Sequence, residues 1–226
     1  MSNGDGRSYL IRERELPSVT TILSVMGKPA LMIWAAKAER DYFRRELDPF
    51  ITDPTWMVPS SALKKKVDEI LASPLQANVL KDQAANIGSK AHALIEWEIR
   101  AMLGQKNGEK PEVPEPSFRA FQAWKTWAES VKFEPLEAEQ QVYSFKYGFA
   151  GTMDLYARID GKLTVLDWKT SKAIYPESYL QNVAYRVAAE EMGKPSEQGI
   201  VIRLPKTEND PGFEAVPVPP ETTLDE

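Results

Sequence analysis

The chain has 226 residues, with 28 lysines and arginines against 33 aspartates and glutamates, one histidine and no cysteine. Its length and 42% hydrophobic content predict one folded domain, and no apolar run approaches the roughly 20 residues that cross a bilayer. The composition excludes disulfides, thiol catalysis, zinc–cysteine sites and any site that needs two imidazoles, so a metal would be held mainly by oxygen, as Mg²⁺, Mn²⁺ and Ca²⁺ are.

The net charge of −5 gives no global signature of nucleic-acid binding, although a local basic groove can coexist with an acidic total. The N-terminal segment has neither the basic flank nor the apolar stretch of a signal peptide. We therefore expect a cytoplasmic protein, and the charge balance by itself leaves the function open.

The first half of the chain is predicted to be helical. Capping residues, prolines and glycines divide it into helices at 19–26, 29 to about 47, 60–71, 79–103 and 117–131. Ser18 is expected to cap the first helix and Ser117 the last, while 48–59 is a stretch broken by proline. Residues 1–135 are thus expected to form a helical layer.

The second half changes to the alternating pattern of strands. Strands are predicted at 136–145, 152–159, 162–169 and 198–204, with an amphipathic helix at 177–192 and a short strand near 213–218. The prediction is an α/β (α+β-like) fold in which residues 136–205 form a sheet-and-helix core and 206–226 a polar, proline-rich tail. All of it is expected to belong to one domain, 1–226.

A two-residue Asp160-Gly161 turn is predicted between the second and third strands, because both positions tolerate positive φ. Counting outward from this turn places Asp154 opposite Asp167 and Thr152 opposite Lys169. Like charges that face each other on a hairpin are destabilising, and a divalent cation held by both carboxylates would compensate.

The alternative is a solvated polar face on an edge hairpin, with a slipped register or a bulge. The strand that carries Asp167 is too apolar over 163–168 for a fully solvated position, which favours a functional charge at the end of a buried strand.

Two helices carry polar residues at four-residue spacing. Gly88, His92 and Glu96 form one stripe on the fourth helix, where the histidine is either a metal ligand or an ordinary helical residue. Gln181 and Tyr185 share a face of the helix at 177–192. They could reach a phosphate or base, or they could be surface residues with the tyrosine packed at the rim.

Four motifs occur in a fixed order: GSKAH (88–92), GTMD (151–154), LDWKTS (166–171) and QNVAY (181–185). Together with the opening PSVTTIL (17–23), this arrangement closely resembles the RecB-like exonuclease branch of the PD-(D/E)XK nuclease superfamily, including phage and mitochondrial-type members. The resemblance covers about residues 17–204 and implies a restriction-endonuclease-like core with a central mixed β-sheet.

The resemblance also implies roles for individual residues. Asp154 and Asp167 correspond to metal ligands, and the main-chain carbonyl of Trp168 to a further ligand on the same side. His92 corresponds to the helical metal ligand of the branch, and Lys169 to its catalytic lysine.

Substrate contacts are implied or suggested at six further residues: Gln181, Tyr185, Thr170, Lys172, Ser18 and Thr20. Glu139 occupies the place of an acidic residue of the first strand, with neighbouring Glu137 as an alternative, and Glu96 is a further candidate ligand.

The expected activity is Mg²⁺- or Mn²⁺-dependent hydrolysis of DNA by an exonuclease of replication, recombination or repair, without an iron–sulfur cluster. Its partner would be DNA with a free end or a single-stranded portion, with no membrane, in a bacterial or phage-infected cell. The chain could gain local positive charge from Arg44, Arg45 and Lys64–Lys66, and stacking from Trp34. Two alternatives stay open: a DNA-binding subunit that does not cleave, and a nuclease that acts on RNA.

Overall fold

The computed structural model describes residues 6–26, 29–52, 59–105 and 108–224. The helices in these ranges are α1 (Val19–Leu23), α2 (Pro29–Ile51), α3 (Ser60–Ala72), α4 (Gln76–Met102), α5 (Glu115–Glu129) and α6 (Pro176–Glu191). The strands are β1 (Ser8–Ile11), β2 (Arg14–Pro17), β3 (Phe133–Ser144), β4 (Phe149–Ile159), β5 (Lys162–Lys169), β6 (Gln198–Arg203) and β7 (Glu214–Pro217). None of the described helices is both long enough and apolar enough to cross a membrane.

The chain forms two compact units, one of residues 1–26 with 87–226 and one of residues 27–86. The smaller unit contains α2, α3 and the first part of α4. Within it, the Glu39 carboxylate accepts a hydrogen bond from the Ala77 amide, which satisfies a free N–H in the first turn of α4.

The larger unit contains a five-stranded sheet in the order β3-β4-β5-β6-β7. Its strands are antiparallel except for β5 and β6, which run parallel and are joined through α6. A parallel pair needs such a crossover, because a short turn cannot return the chain to the same end of the sheet. The predicted mixed sheet with a hairpin and a crossover helix is confirmed.

The main hydrophobic core lies between this sheet and the helices α4 and α5. It contains Ala91, Leu94, Ile95 and Ile99 of α4, Trp124 of α5, and Leu155, Leu166, Trp168 and Ile202 of the strands. A second core cluster joins α6 to the sheet through residues such as Val165, Ala184 and Ala188. The sheet is therefore covered by helices through both clusters, and the ends of its strands are held by a well-packed interior.

The helical prediction for residues 1–135 is wrong at the N-terminus, where β1 and β2 form an antiparallel hairpin. Its two turn residues, Arg12 and Glu13, both have positive φ, which is usually the role of glycine, asparagine or aspartate. The turn signal that would have predicted a hairpin is therefore missing from the sequence.

Several helix boundaries also differ from the prediction, among them the start of the fourth helix, which lies at Gln76 and not at 79. The first helix ends at Leu23, where the Ser24 hydroxyl donates to the Thr21 carbonyl. The second continues through Pro49 to Ile51, so 48–51 is helical, and residues 53–58 of the predicted break lie outside the described residues. The fifth begins at Glu115, two residues before its predicted cap.

Ser117 does not cap α5, which is a further correction. The residue before the helix is Pro114, and Ser117 lies inside the first turn. Its hydroxyl donates to the Ile87 carbonyl at 2.8 Å, so this buried serine joins α5 to α4.

Candidate metal and catalytic site

The hairpin of β4 and β5 has the predicted register. Its pairs run from Ile159 with Lys162 at the turn to Leu155 with Leu166, and Asp154 and Asp167 come one residue further on. There the Asp154 Oδ2 atom accepts a hydrogen bond from the Trp168 amide at 2.9 Å. The carboxylate thus takes a backbone N–H of the neighbouring strand as its partner, which holds Asp154 in place.

Asp167 is completely buried and pairs with Lys169 on the same strand. The Lys169 Nζ atom lies 2.8 Å from Oδ1 and 2.7 Å from Oδ2 of this carboxylate. Residues two apart on a strand point to the same side, which makes this contact possible. The lysine is therefore oriented by a carboxylate that water does not reach.

The pKa values of Asp167 and Lys169 are shifted by burial and by neighbouring charges. Burial raises the pKa of Asp167 to about 6, and the charge of Asp154 acts in the same direction, against the attraction of Lys169. Burial would lower the pKa of Lys169, but the charges of Asp167 and Asp154 outweigh it and raise the value. Lys169 is thus a stable ammonium group.

His92, Glu139 and Asp154 form a group of potential metal ligands. One ligand atom from each lies within 4.8 Å of those of the other two. The residues come from α4, β3 and β4, and the His92 Nδ1 atom lies 3.5 Å from the Asp154 Oδ1 atom. Two carboxylates and one imidazole are a donor set that can hold a divalent cation, so these residues fit the metal that the resemblance implies.

Glu139 reaches this group because β3 is irregular. The pairing of β3 with β4 shifts by one residue between Pro135 and Glu137, and Glu139 itself has a φ of 50°. A non-glycine residue in this left-handed region costs roughly 1–2 kcal/mol, and such strain is concentrated at functional sites. The pairs on either side place Glu139 level with Asp154 on the neighbouring strand.

The carboxyl group of Glu139 is poorly stabilised as an anion in this position. Burial raises its pKa to about 7, and the nearby charges of Asp154 and Glu96 add to the effect, while His92 and Arg100 oppose it. Together with Asp154 and Asp167, Glu139 brings acidic groups of three neighbouring strands to adjacent positions in the sheet. A cation is the natural counter-charge for such a group.

His92 is held against the core by aromatic rings. Its ring makes an edge contact with Trp168 at 6.1 Å between centroids, and Trp168 makes a similar contact with Trp124 at 6.3 Å. Burial lowers the pKa of His92, but the charge and hydrogen bond of Asp154 outweigh it and raise the value. In return, the charge and hydrogen bond of His92 outweigh the burial of Asp154 and lower its pKa.

Two other acidic candidates lie in different surroundings. Glu96 accepts a hydrogen bond from Arg100 at 2.6 Å and is not one of the three grouped ligands. Glu137, the alternative to Glu139, pairs with Lys194. The structure therefore places Glu139 beside Asp154 and engages Glu137 elsewhere.

The QNVAY segment sits on α6, which a buried asparagine fixes to the sheet. Asn182 donates to the Val165 carbonyl at 3.1 Å. Gln181 donates to the Tyr185 hydroxyl at 2.7 Å, and the Tyr185 ring packs over Gly151, where an added Cβ would lie 2.4 Å from the ring. Burial and the charge of Asp167 raise the pKa of Tyr185, so its hydroxyl keeps its proton.

The other predicted substrate contacts are placed as follows. Ser18 is buried and caps α1 by accepting from the Thr21 amide, and exposed Thr20 lies 2.9 Å away through its hydroxyl. Thr170 approaches Gly88, whose missing side chain leaves room for its hydroxyl. Lys172 is exposed, three residues beyond the end of β5.

One residue near the site was missed by the sequence analysis. The Tyr9 hydroxyl of β1 lies 3.1 Å from the hydroxyl of Thr152 in the GTMD segment. The alternation of Ser8–Ile11 was a weak strand signal, but nothing in it indicated which strand the hairpin would meet.

One comparison with known proteins agrees with this geometry. The family model of the PD-(D/E)XK nuclease superfamily matches residues 61–225, which is most of the chain and includes all four motifs. A search of curated proteins gave no match. The mixed sheet with its helices is the restriction-endonuclease-like fold that the motifs implied, and the chain belongs to the PD-(D/E)XK nuclease superfamily.

Proposed function

We propose that this nuclease is a metal-dependent deoxyribonuclease of the RecB-like branch, an exonuclease that acts on DNA with a free end or a single-stranded portion. The observation that carries the proposal is the His92, Glu139 and Asp154 group beside the buried Asp167–Lys169 pair. Such an enzyme would serve replication, recombination or repair of DNA, in a bacterial or phage-infected cell.

The metal would be Mg²⁺ or Mn²⁺, held by Asp154, His92 and Glu139, with Asp167 as a further ligand. When bound, a divalent cation neutralises charge on the phosphoryl oxygens and lowers the pKa of a coordinated water. The donor set of the site supports this assignment, since it offers oxygen atoms and one imidazole.

Lys169 supplies a fixed positive charge and a proton donor beside the acidic group. Its ammonium is held by both oxygens of Asp167, so it is oriented before substrate arrives. We assign to it the positioning of the attacking water or the stabilisation of charge on the scissile phosphate. Trp168 is positioned to support this arrangement, since its amide holds Asp154 and its ring holds His92.

The test is cleavage of end-labelled single-stranded DNA, double-stranded DNA and RNA by purified protein with Mg²⁺, Mn²⁺ or EDTA. The proposal expects metal-dependent cleavage of DNA that Asp154→Asn and Lys169→Ala each reduce by about 10²- to 10⁴-fold. Glu137→Gln is the matched control, because this carboxylate pairs with Lys194 and lies outside the ligand group.

Several outcomes would contradict the proposal. Cleavage that the two site variants leave unchanged would refute the assigned residues. Cleavage of RNA but not DNA would support the RNA alternative, and binding without cleavage in any metal would support a subunit that does not cleave. Cleavage of closed circular DNA would replace the exonuclease assignment by an endonuclease.

A further inference from the structure

The N-terminal hairpin brings a tyrosine to the strand that carries Asp154. The Tyr9 hydroxyl and the Thr152 hydroxyl are 3.1 Å apart, and Tyr9 is opposite the buried Leu16 on β2. Thr152 precedes Asp154 by two residues, which corresponds to about 7 Å along a strand. Tyr9 therefore lies at the edge of the proposed site although it is distant from it in sequence.

The guanidinium of Arg7 lies over the ring of Tyr9. The guanidinium carbon lies 5.0 Å from the centroid of the tyrosine ring, and the Arg7 carbonyl accepts a hydrogen bond from the Ser18 amide at 2.8 Å. The Arg7 residue is exposed, and among the described ion pairs none involves it. A guanidinium held over an aromatic ring retains N–H donors for a bidentate contact with phosphate.

The negative charge of the neighbouring site makes a cation such as Arg7 necessary for binding a phosphate. Glu139, Asp154 and Asp167 are three acidic groups, and Lys169 is already paired with one of them. A nucleic acid strand that enters here carries one negative charge per nucleotide and needs cations beside the acidic group. An arginine already ordered on an aromatic ring binds phosphate with less loss of side-chain entropy than a free one.

We infer that Arg7 binds a backbone phosphate of the nucleic acid substrate within a few nucleotides of the cleaved bond, and that Tyr9 is the residue that positions it. The inference rests on the proposed function for its substrate class and extends it to a hairpin that precedes all four motifs. Arg7 and Tyr9 thus form the Arg7–Tyr9 pair, a phosphate-binding element outside the metal site.

The test is binding of a fluorescent single-stranded oligonucleotide in EDTA, measured by anisotropy over a series of salt concentrations. Arg7→Gln is expected to weaken binding about tenfold and to reduce the slope of log K against log salt by about 0.7, the value for one phosphate contact on a single strand. Tyr9→Leu should give a similar loss of affinity, and Tyr9→Phe, which keeps the ring beneath Arg7, should recover most of it.

Arg14→Gln is the matched control. Arg14 lies on the same hairpin and its guanidinium also lies over an aromatic ring, 5.3 Å from the centroid of Phe145, but it is next to the turn of the hairpin. This variant is expected to bind within about twofold of the wild type. Thermal unfolding of each variant checks that the hairpin remains folded.

An unchanged affinity and slope in Arg7→Gln would overturn the inference, and so would an equal loss in Arg14→Gln. The binding assay needs no metal and no cleavage, so it is independent of the activity assay. Arg7-dependent binding without cleavage would refute the proposed function alone. Metal-dependent cleavage with binding that does not depend on Arg7 would refute the Arg7 inference alone.

Discussion

Two ion pairs of nearly equal length behave differently in the two units of this protein. In the larger unit, Lys169 lies 2.7 Å from Asp167, whose side chain is 1% exposed. In the smaller unit, Lys66 lies 2.7 Å from Glu46, whose side chain is 27% exposed. The hydrogen bond from Lys66 lowers the pKa of Glu46, whereas burial raises the pKa of Asp167 to about 6 despite its lysine.

The difference shows that the distance between the two charges does not by itself determine the pKa of the carboxyl group. Water solvates Glu46, so its lysine adds a modest preference for the charged form. Asp167 loses that solvation, and one lysine does not fully restore it because Asp154 repels the same charge. Burying such a carboxylate costs stability, and residues of this kind are concentrated at functional sites.

The largest expected effect comes from breaking the buried pair. Lys169→Met keeps the length of the side chain but leaves Asp167 without its counter-charge, so we expect a loss of about 3 kcal/mol in unfolding free energy at pH 8. The loss should be smaller at pH 5, where Asp167 is protonated. Urea denaturation in EDTA at both pH values measures it, and an equal loss at the two values would show that packing, rather than charge, is responsible.

Metal binding tests whether a divalent cation offsets the repulsion among Glu139, Asp154 and Asp167. Mg²⁺ or Mn²⁺ at about 100 times its dissociation constant should stabilise the folded protein by about 2.7 kcal/mol. Asp154→Asn and Glu139→Gln should each remove most of this gain in thermal unfolding, and Glu137→Gln should keep it. A full metal response in Glu139→Gln would mean that the irregular part of β3 has no role in holding metal.

The metal-free protein should become less stable as the pH rises from about 5 to 7. The pKa values of Glu139 and Asp167 are raised by folding, to about 7 and about 6, so the folded state retains protons that the unfolded chain has released. Glu139→Gln should flatten this dependence by about 1 to 2 kcal/mol, allowing for the solvent screening of a half-buried carboxyl. Chemical denaturation in EDTA across this range measures the slope, and an identical slope in the variant would contradict the assignment.

The smallest effect is expected at the partly exposed pair of Lys66 and Glu46. Lys66→Met removes a contact of the same length as that of Lys169, but both partners remain solvated, so the melting temperature should change by less than about 2 °C. Calorimetry of this variant beside Lys169→Met completes the comparison. A large change at Lys66 would show that the smaller unit depends on this pair for its fold.

Much of the site could be predicted from the sequence because a local signal determined its geometry. The Asp160-Gly161 turn specified the register of β4 and β5, and this brought Asp154, in the middle of β4, next to Asp167, near the end of β5. The four motifs likewise identified the superfamily, which the family model confirms.

The remaining features were decided by the tertiary structure, since they depend on contacts between distant segments. The choice between Glu137 and Glu139 follows from a one-residue shift and a left-handed residue in β3, and neither has a local signal. The side chain of Asp167 turned to Lys169, while Asp154 joined His92 and Glu139. The hairpin that brings Tyr9 to Thr152 has turn residues that do not favour a turn.

The sequence by itself therefore determined the superfamily, the sheet core and the pair of neighbouring aspartates, because turns and alternating strands are encoded within a few residues. The tertiary structure decided which acidic group each aspartate joined and which N-terminal residues border the site. The physical reason is burial: desolvation and packing between distant segments set the position and charge of a carboxyl group, and no short stretch of sequence contains them.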